Sequence, residues 1–239
     1  MPEFLNLEQR RILDAMGIDV WLPRLAIESV AGSEAPEVGM MEIESSPTIT
    51  DPDWSALEST VAACTQCSLH RTRKQTVFGV GDPNAQWMII GEAPGADEDR
   101  QGEPFVGKAG QLLNEMLRAV GLSRERVYIA NILKCRPPNN RNPHADEVAS
   151  CMDFLRRQVA LVQPRLIIAA GRIAAQNLLN EDQPVGRLRG RVHRFGEQGS
   201  SIPVIVTYHP AYLLRSPGQK RKAWEDLCLA RSVAEAPCA

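Results

Sequence analysis

Four short apolar runs, each meeting a glycine or a polar residue near its carboxyl end, constrain this chain more than any other feature. Gln86 to Ile90 leads into Gly91-Glu92-Ala93-Pro94-Gly95, and Val127 to Leu133 carries Asn131. Leu166 to Ala170 meets Gly171, and Val204 to Tyr208 meets His209-Pro210. Between them lie segments of helical spacing. Leu112, Leu113, Met116, Leu117 and Val120 recur within 110–120, Ala145 to Val162 stops before Pro164, and 172–179 follows Gly171. Runs alternating with helices imply a parallel sheet covered on both faces. The sequence therefore predicts an α/β three-layer sandwich around a central, mainly parallel four-stranded sheet. Such sheets hold ligands beyond the carboxyl ends of their strands. Glu92, Asn131 and His209 are the first site candidates for that reason.

Charge divides the chain. Residues 1–53 hold 3 Lys/Arg and 11 Asp/Glu, a balance of −8, and residues 54–239 carry +6. A basic body suits a polyanion, although a solvated surface has the same composition. Residues 1–30 read as a short helical segment containing Trp21. Residues 31–53 hold six acids and no Lys or Arg, which is linker composition. Residues 54–239 form the α/β domain. No apolar run is long enough to span a bilayer and no signal pattern opens the chain, so a cytoplasmic location is expected.

Six cysteines in that compartment call for burial or metal rather than disulfides. Cys64-x2-Cys67 follows a helical segment instead of opening one, which weakens a thioredoxin-like reading. Cys135 follows the second strand, and Cys151 lies in the first half of the next helix. Four thiolates suit zinc or an iron–sulfur cluster, and the spacing leaves both open. Cys228 reads as a packed thiol and Cys238 as part of a loose tail.

Four ordered blocks carry a family resemblance. They are Gly91 to Asp99, Gly102-Glu103-Pro104-Phe105-Val106-Gly107-Lys108-Ala109-Gly110, Asn131 to Arg141, and His209 to Arg215. Residues 60–231 resemble the type-4 uracil-DNA glycosylases in the order and spacing of these blocks. The resemblance implies a uracil-DNA glycosylase-like fold. It implies a [4Fe–4S] cluster on Cys64, Cys67, Cys135 and Cys151. It also implies a monofunctional enzyme that hydrolyses the N-glycosidic bond of uracil in single- or double-stranded DNA.

The chemistry assigns roles. An extruded base needs a stacking surface, and Phe105 in its glycine-flanked loop is the candidate; a core Phe is the plain alternative. Uracil shows a carbonyl acceptor beside an N–H donor, a pair that one carboxamide, Asn131, can read. Asn capping a turn is the plain alternative there. Charge building on the leaving base needs a donor, and His209 fits. Ala93 stands where another glycosylase type has Asp, so Glu92 is the choice for positioning water. Glu92, Ala93 and Pro94 are expected against uracil. Glu98 and Asp99 are candidates to exclude the thymine methyl, though loop carboxylates are usually only solvated. Gly107 and Lys108, at a helix start, suit a phosphate. The run Leu213, Leu214, Arg215 reads as a DNA-binding wedge into the slot the base leaves. The runs Arg187, Arg189, Arg191, Arg194 and Lys220, Arg221, Lys222 are further phosphate candidates.

Residues 10–24 faintly resemble the N-terminal peptide of the psi subunit of bacterial clamp loaders. That motivates an alternative: a replisome or clamp-loader-associated subunit that keeps the glycosylase fold and docks through residues 1–28.

Overall fold

The computed structural model describes residues 52–196 and 201–235. The expected N-terminal helical segment and docking peptide, nearly all of the expected acidic linker, and Cys238 lie outside the described residues. Helix α1, Pro52–Ala62, is followed by the edge strand β1, Val80–Gly81, and by β2, Trp87–Gly91. Helices α2, Ala96–Gln101, and α3, Lys108–Ala119, lead to β3, Tyr128–Asn131. Helix α4, Ala145–Val162, leads to β4, Leu166–Ala170. Then come α5, Arg172–Leu179, α6, Val185–Leu188, and β5, Val192–Phe195. Strand β6, Ile202–Thr207, and helices α7, Pro210–Arg215, and α8, Lys220–Glu235, complete the order.

The sheet runs β1-β3-β2-β4-β6-β5. The inner pairs β3–β2, β2–β4 and β4–β6 are parallel, and both edge pairs are antiparallel. The four runs read from the sequence are the four inner strands. Strands β2, β3 and β4 are buried throughout, because helices cover both faces. Successive residues face opposite layers. Met88, Ile90, Ala130, Ala169 and Val206 share a core with Leu57, Leu155 and Leu178 of α1, α4 and α5. Ile89, Ile129, Ile168 and Ile205 share another with Leu113, Leu117 and Ala230 of α3 and α8. Trp54 of α1 meets Phe78 and Tyr128 edge-on, with centroids 5.4 and 5.2 Å apart.

The edge strands do not show in the sequence pattern. β1 is only two residues long and ends in Gly81, and β5 is half-exposed and reads as part of a basic run. Two side chains also differ from expectation. Cys228 is exposed rather than packed. Arg189 is withdrawn from any phosphate role. Its guanidinium lies 2.9 Å from Asp226 and 3.2 Å from Glu225 and donates to Lys222 O at 2.6 Å. Asp226 is fully buried and also accepts from Gly190 N, so the pair ties α8 to the turn before β5. Removing one partner of a buried ion pair strands the other charge. Arg189→Met is expected to lower unfolding stability by about 3–5 kcal/mol, read from urea denaturation midpoints.

Candidate active site

A cavity of about 500 Å³ opens where β2, β3 and β6 end. The chain leaves β2 for β3 on one side, then crosses to β4 on the other. That reversal makes this end of the sheet a topological switch point, the usual ligand crevice of open parallel sheets. Glu92, Ala93, Pro94, Glu98, Phe105, Gly107, Lys108, Asn131, His209 and Arg215 all line the cavity. Residues separated by up to 123 positions in sequence therefore meet in one place.

Asn131 closes β3 in register with Gly91. It is 2% exposed, and its Nδ2 has no hydrogen-bond partner. Leaving such a buried donor unmatched costs about 1–3 kcal/mol. Gly91 makes the arrangement possible. A Cβ there would stand 2.4 Å from Asn131 Oδ1 and 2.7 Å from the Phe105 ring.

Phe105 is buried, with a positive φ of 55°. That left-handed backbone costs a non-glycine residue about 1–3 kcal/mol, and such strain persists only where the surroundings enforce it. Its ring stacks on the His209 imidazole at 5.4 Å between centroids, tilted by 25°. The two rings form one continuous wall of the cavity.

His209 is the N-cap of α7, and its Nδ1 accepts from Ala211 N at 3.1 Å. With Nδ1 acting as acceptor, a neutral ring carries its proton on Nε2. Burial, with Arg215 nearby, pushes the His209 pKa down to about 4. The ring is therefore a neutral Nε2–H donor at ordinary pH. Gly171, with φ 96°, lets it pack closely, since a Cβ there would lie 2.8 Å from His209 Cβ.

The carboxylates divide. Glu92 is half-buried at the cavity wall, and burial raises its pKa despite the opposing charge of Arg172. Glu98 reaches the lining, but both its oxygens are engaged by backbone N–H groups, Gly95 N at 2.6 Å and Phe105 N at 2.6 Å. Asp99 is 2% exposed and accepts from Lys74 N at 2.9 Å, away from the cavity lining.

The mouth is polar and basic. Gly107 caps α3, and the exposed Lys108 is that helix's first residue. Of the leucine pair, Leu213 is fully buried beside Met116 and Leu227, whereas Leu214 is 44% exposed. Only Leu214 is free to act as a wedge. Pro137, Asn140, Arg141, Asn142 and Tyr212 also line the cavity, and sequence reasoning assigned none of them a separate role. The signal was present in Pro137-Pro138-Asn139-Asn140. Both asparagines adopt φ 54°, a conformation Asn tolerates better than most residues. Arg141 fixes that loop through a two-pronged bond to Glu147 at 2.6 and 2.8 Å.

Cys64, Cys67, Cys135 and Cys151 surround a second, small cavity, also lined by Val61, Phe154, Arg73 and Lys134. None of the four is disulfide-bonded. Arg73 Nη1 donates to Cys135 Sγ at 3.0 Å, and Lys134 N donates to Cys151 Sγ at 3.3 Å. Among the described residues, no three Cys, His, Asp or Glu side chains converge closely enough for a single ion.

Comparison with known proteins gives this geometry its context. The model of the uracil DNA glycosylase superfamily matches residues 78–228. A type-4 uracil-DNA glycosylase of Archaeoglobus fulgidus is 47% identical over 170 residues, covering 70% of this chain and 85% of that protein. One from Pyrobaculum aerophilum is 41% identical over 181 residues, covering 74% and 92%. One from Thermotoga maritima is 41% identical over 174 residues, covering 72% and 90%.

The protonation state of His209 has a direct check. An unfolded His titrates near 6.5, and the folded ring is held down to about 4. The folded state thus binds fewer protons between these values. The stability this supplies is complete above about pH 6.5 and declines as pH falls toward 4. NMR titration of the imidazole is expected to show a neutral, Nε2-protonated ring through pH 6.

Proposed function

The chain belongs to the uracil-DNA glycosylase superfamily and to its type-4 group, and we propose that it hydrolyses the N-glycosidic bond of uracil flipped from DNA into the strand-end cavity. The observation that carries this reading is the orphaned Asn131 amide. It is a buried donor at the cavity wall that lacks a partner until a ligand acceptor arrives. Uracil O4 supplies that acceptor, and N3–H can donate to Asn131 Oδ1. Cytosine offers an amino donor at position 4 and an acceptor at N3, which mismatches the amide as long as it keeps this orientation.

The wall formed by Phe105 stacks the base, and backbone around Ala93 and Pro94 bounds its edge. As the bond from C1′ to N1 breaks, its electron pair moves into the uracil ring and toward O2. His209 Nε2–H donates to that oxygen. A neutral donor does not transfer its proton outright; it stabilises the anion from a fixed position. The electron-poor C1′ is then attacked by water. Glu92, whose burial raises its proton affinity, orients that water and accepts its proton as the new C–O bond forms. The proton taken up by Glu92 passes through solvent to the uracil anion, which resets the carboxylate and leaves free uracil and an abasic site in an unbroken strand.

On the DNA side, the α3 N-terminus at Gly107 and Lys108 takes a phosphate. Leu214 enters the vacated stack, and Arg215 lies close enough to the mouth to meet the backbone. Binding should weaken steeply with salt.

Cys64, Cys67, Cys135 and Cys151 hold a [4Fe–4S] cluster in this reading. The donor set fits: four free thiols line one largely apolar space, and two N–H groups already point at sulfur. Four thiols suit zinc or a cluster, and the choice of a cluster rests on the resemblance to the type-4 group. Through these four cysteines a bound cluster would tie together the segment after α1, the loop after β3, and α4. Burial pushes the Cys151 thiol up to about 11, so ligation releases its proton.

Purified protein is expected to release free uracil from a uracil-containing oligonucleotide. His209→Ala should cost about 10²–10³ in kcat, and Asn131→Ala should lose release with the fold intact by circular dichroism. Full activity in either variant would remove that role. Iron and sulfide analysis should find a cluster in the wild type, and Cys135→Ala should lose it and unfold earlier. Stoichiometric zinc without iron would overturn the cluster.

A further inference from the structure

We infer that Glu98 and Arg124 are positioning residues that clamp Phe105 into its strained, base-stacking pose. This rests on the stacking role proposed for Phe105. The backbone of Phe105 is held from both sides. Its N–H donates to Glu98 Oε1 at 2.6 Å, and its carbonyl accepts from Arg124 Nη1 at 3.2 Å. The same guanidinium donates through Nη2 to Pro104 O. The other Glu98 oxygen accepts from Gly95 N at 2.6 Å. One carboxylate therefore ties the stacking loop to the loop that follows β2, whose backbone bounds the edge of the base in the proposed pose.

Each contact is chosen for charge as well as reach. The carboxylate takes two N–H donors, and the guanidinium takes two carbonyls in its fork geometry. Both side chains are only part-exposed, and their charges attract across the loop. Gly110 completes the device. A Cβ there would fall 1.6 Å from Phe105 O, so only glycine lets α3 press against this carbonyl. A left-handed Phe would otherwise relax toward an ordinary φ and swing its ring away from His209. The two charged residues hold the ring in place before substrate arrives. Glu98 acts through Phe105 and Gly95 backbone, not by touching the base.

The test is a double-mutant cycle on uracil release. Glu98→Gln turns one acceptor into a donor facing a donor, and Arg124→Met removes the fork while keeping the stem. Each is expected to lower kcat/KM by about 10–100-fold, as a loop displaced by about an ångström does. Neither should lower it further in the Phe105→Ala background. Folding is followed in parallel by circular dichroism, so that a variant that fails to fold leaves the other to decide. Full losses that persist in the Phe105→Ala background would overturn the clamp. So would wild-type release in Glu98→Gln and Arg124→Met when Phe105→Ala is impaired. Wild-type release in Phe105→Ala itself would overturn the stacking role, and the clamp with it.

Discussion

The register that sets Gly91 beside Asn131 at the carboxyl end of the sheet is the constraint on which the site depends. Parallel pairing makes both strands end at the same level. The missing side chain of Gly91 then leaves room for the Asn131 amide and the Phe105 ring in one crevice. A single methyl at that position would collide with both. The proposed polar specificity and base stacking thus depend on one backbone position with no side chain. The surrounding parts serve to hold that crevice: the Glu98 and Arg124 contacts, the glycine packing of α3, and the N-cap bond of His209.

Local electrostatics give the three strand ends different characters. At β6 the chain turns straight into a helix, and the first turn of that helix donates to His209 Nδ1. This fixes which ring nitrogen faces the cavity, and burial keeps the ring uncharged. At β3 a neutral amide is left without a partner. At β2 a carboxylate is half-buried with its proton affinity raised. A neutral donor, an amide reader and a proton acceptor are the minimum set for expelling a uracil anion and adding water. The four thiols stand behind this face, with Lys134 linking the two regions. Its buried ammonium donates to Asn131 O at 2.8 Å and Gln158 Oε1 at 2.6 Å, while its backbone N–H meets Cys151.

Much of this is legible in the sequence because it is written in local pattern. The inner strands are continuous apolar runs, and the residues just past them are conspicuously polar. That pattern alone places Glu92, Asn131 and His209 at one end of a sheet. What is not legible depends on contacts distant in sequence. Arg189 looks like its basic neighbours until α8 brings Asp226 against it. Leu213 and Leu214 are the same residue type, and only the packing of α7 on α3 and α8 decides which one is buried. Glu98 reads as a loop carboxylate, because its partners are backbone N–H groups that any sequence would supply. Arg124 carries no signal for the same reason. The edge strands are too short or too polar to show a strand period.

At the centre of the proposed mechanism, an orphaned amide in a preformed crevice selects uracil by its polar edge. The most direct measurement offers purified protein two oligonucleotides that differ at one position, uracil or cytosine, and quantifies the free base released. The expected result is free uracil from the first, with an abasic site in an unbroken strand, and no release from the second. Release of cytosine at a comparable rate, or no release of uracil by folded, cluster-bearing protein, would contradict it.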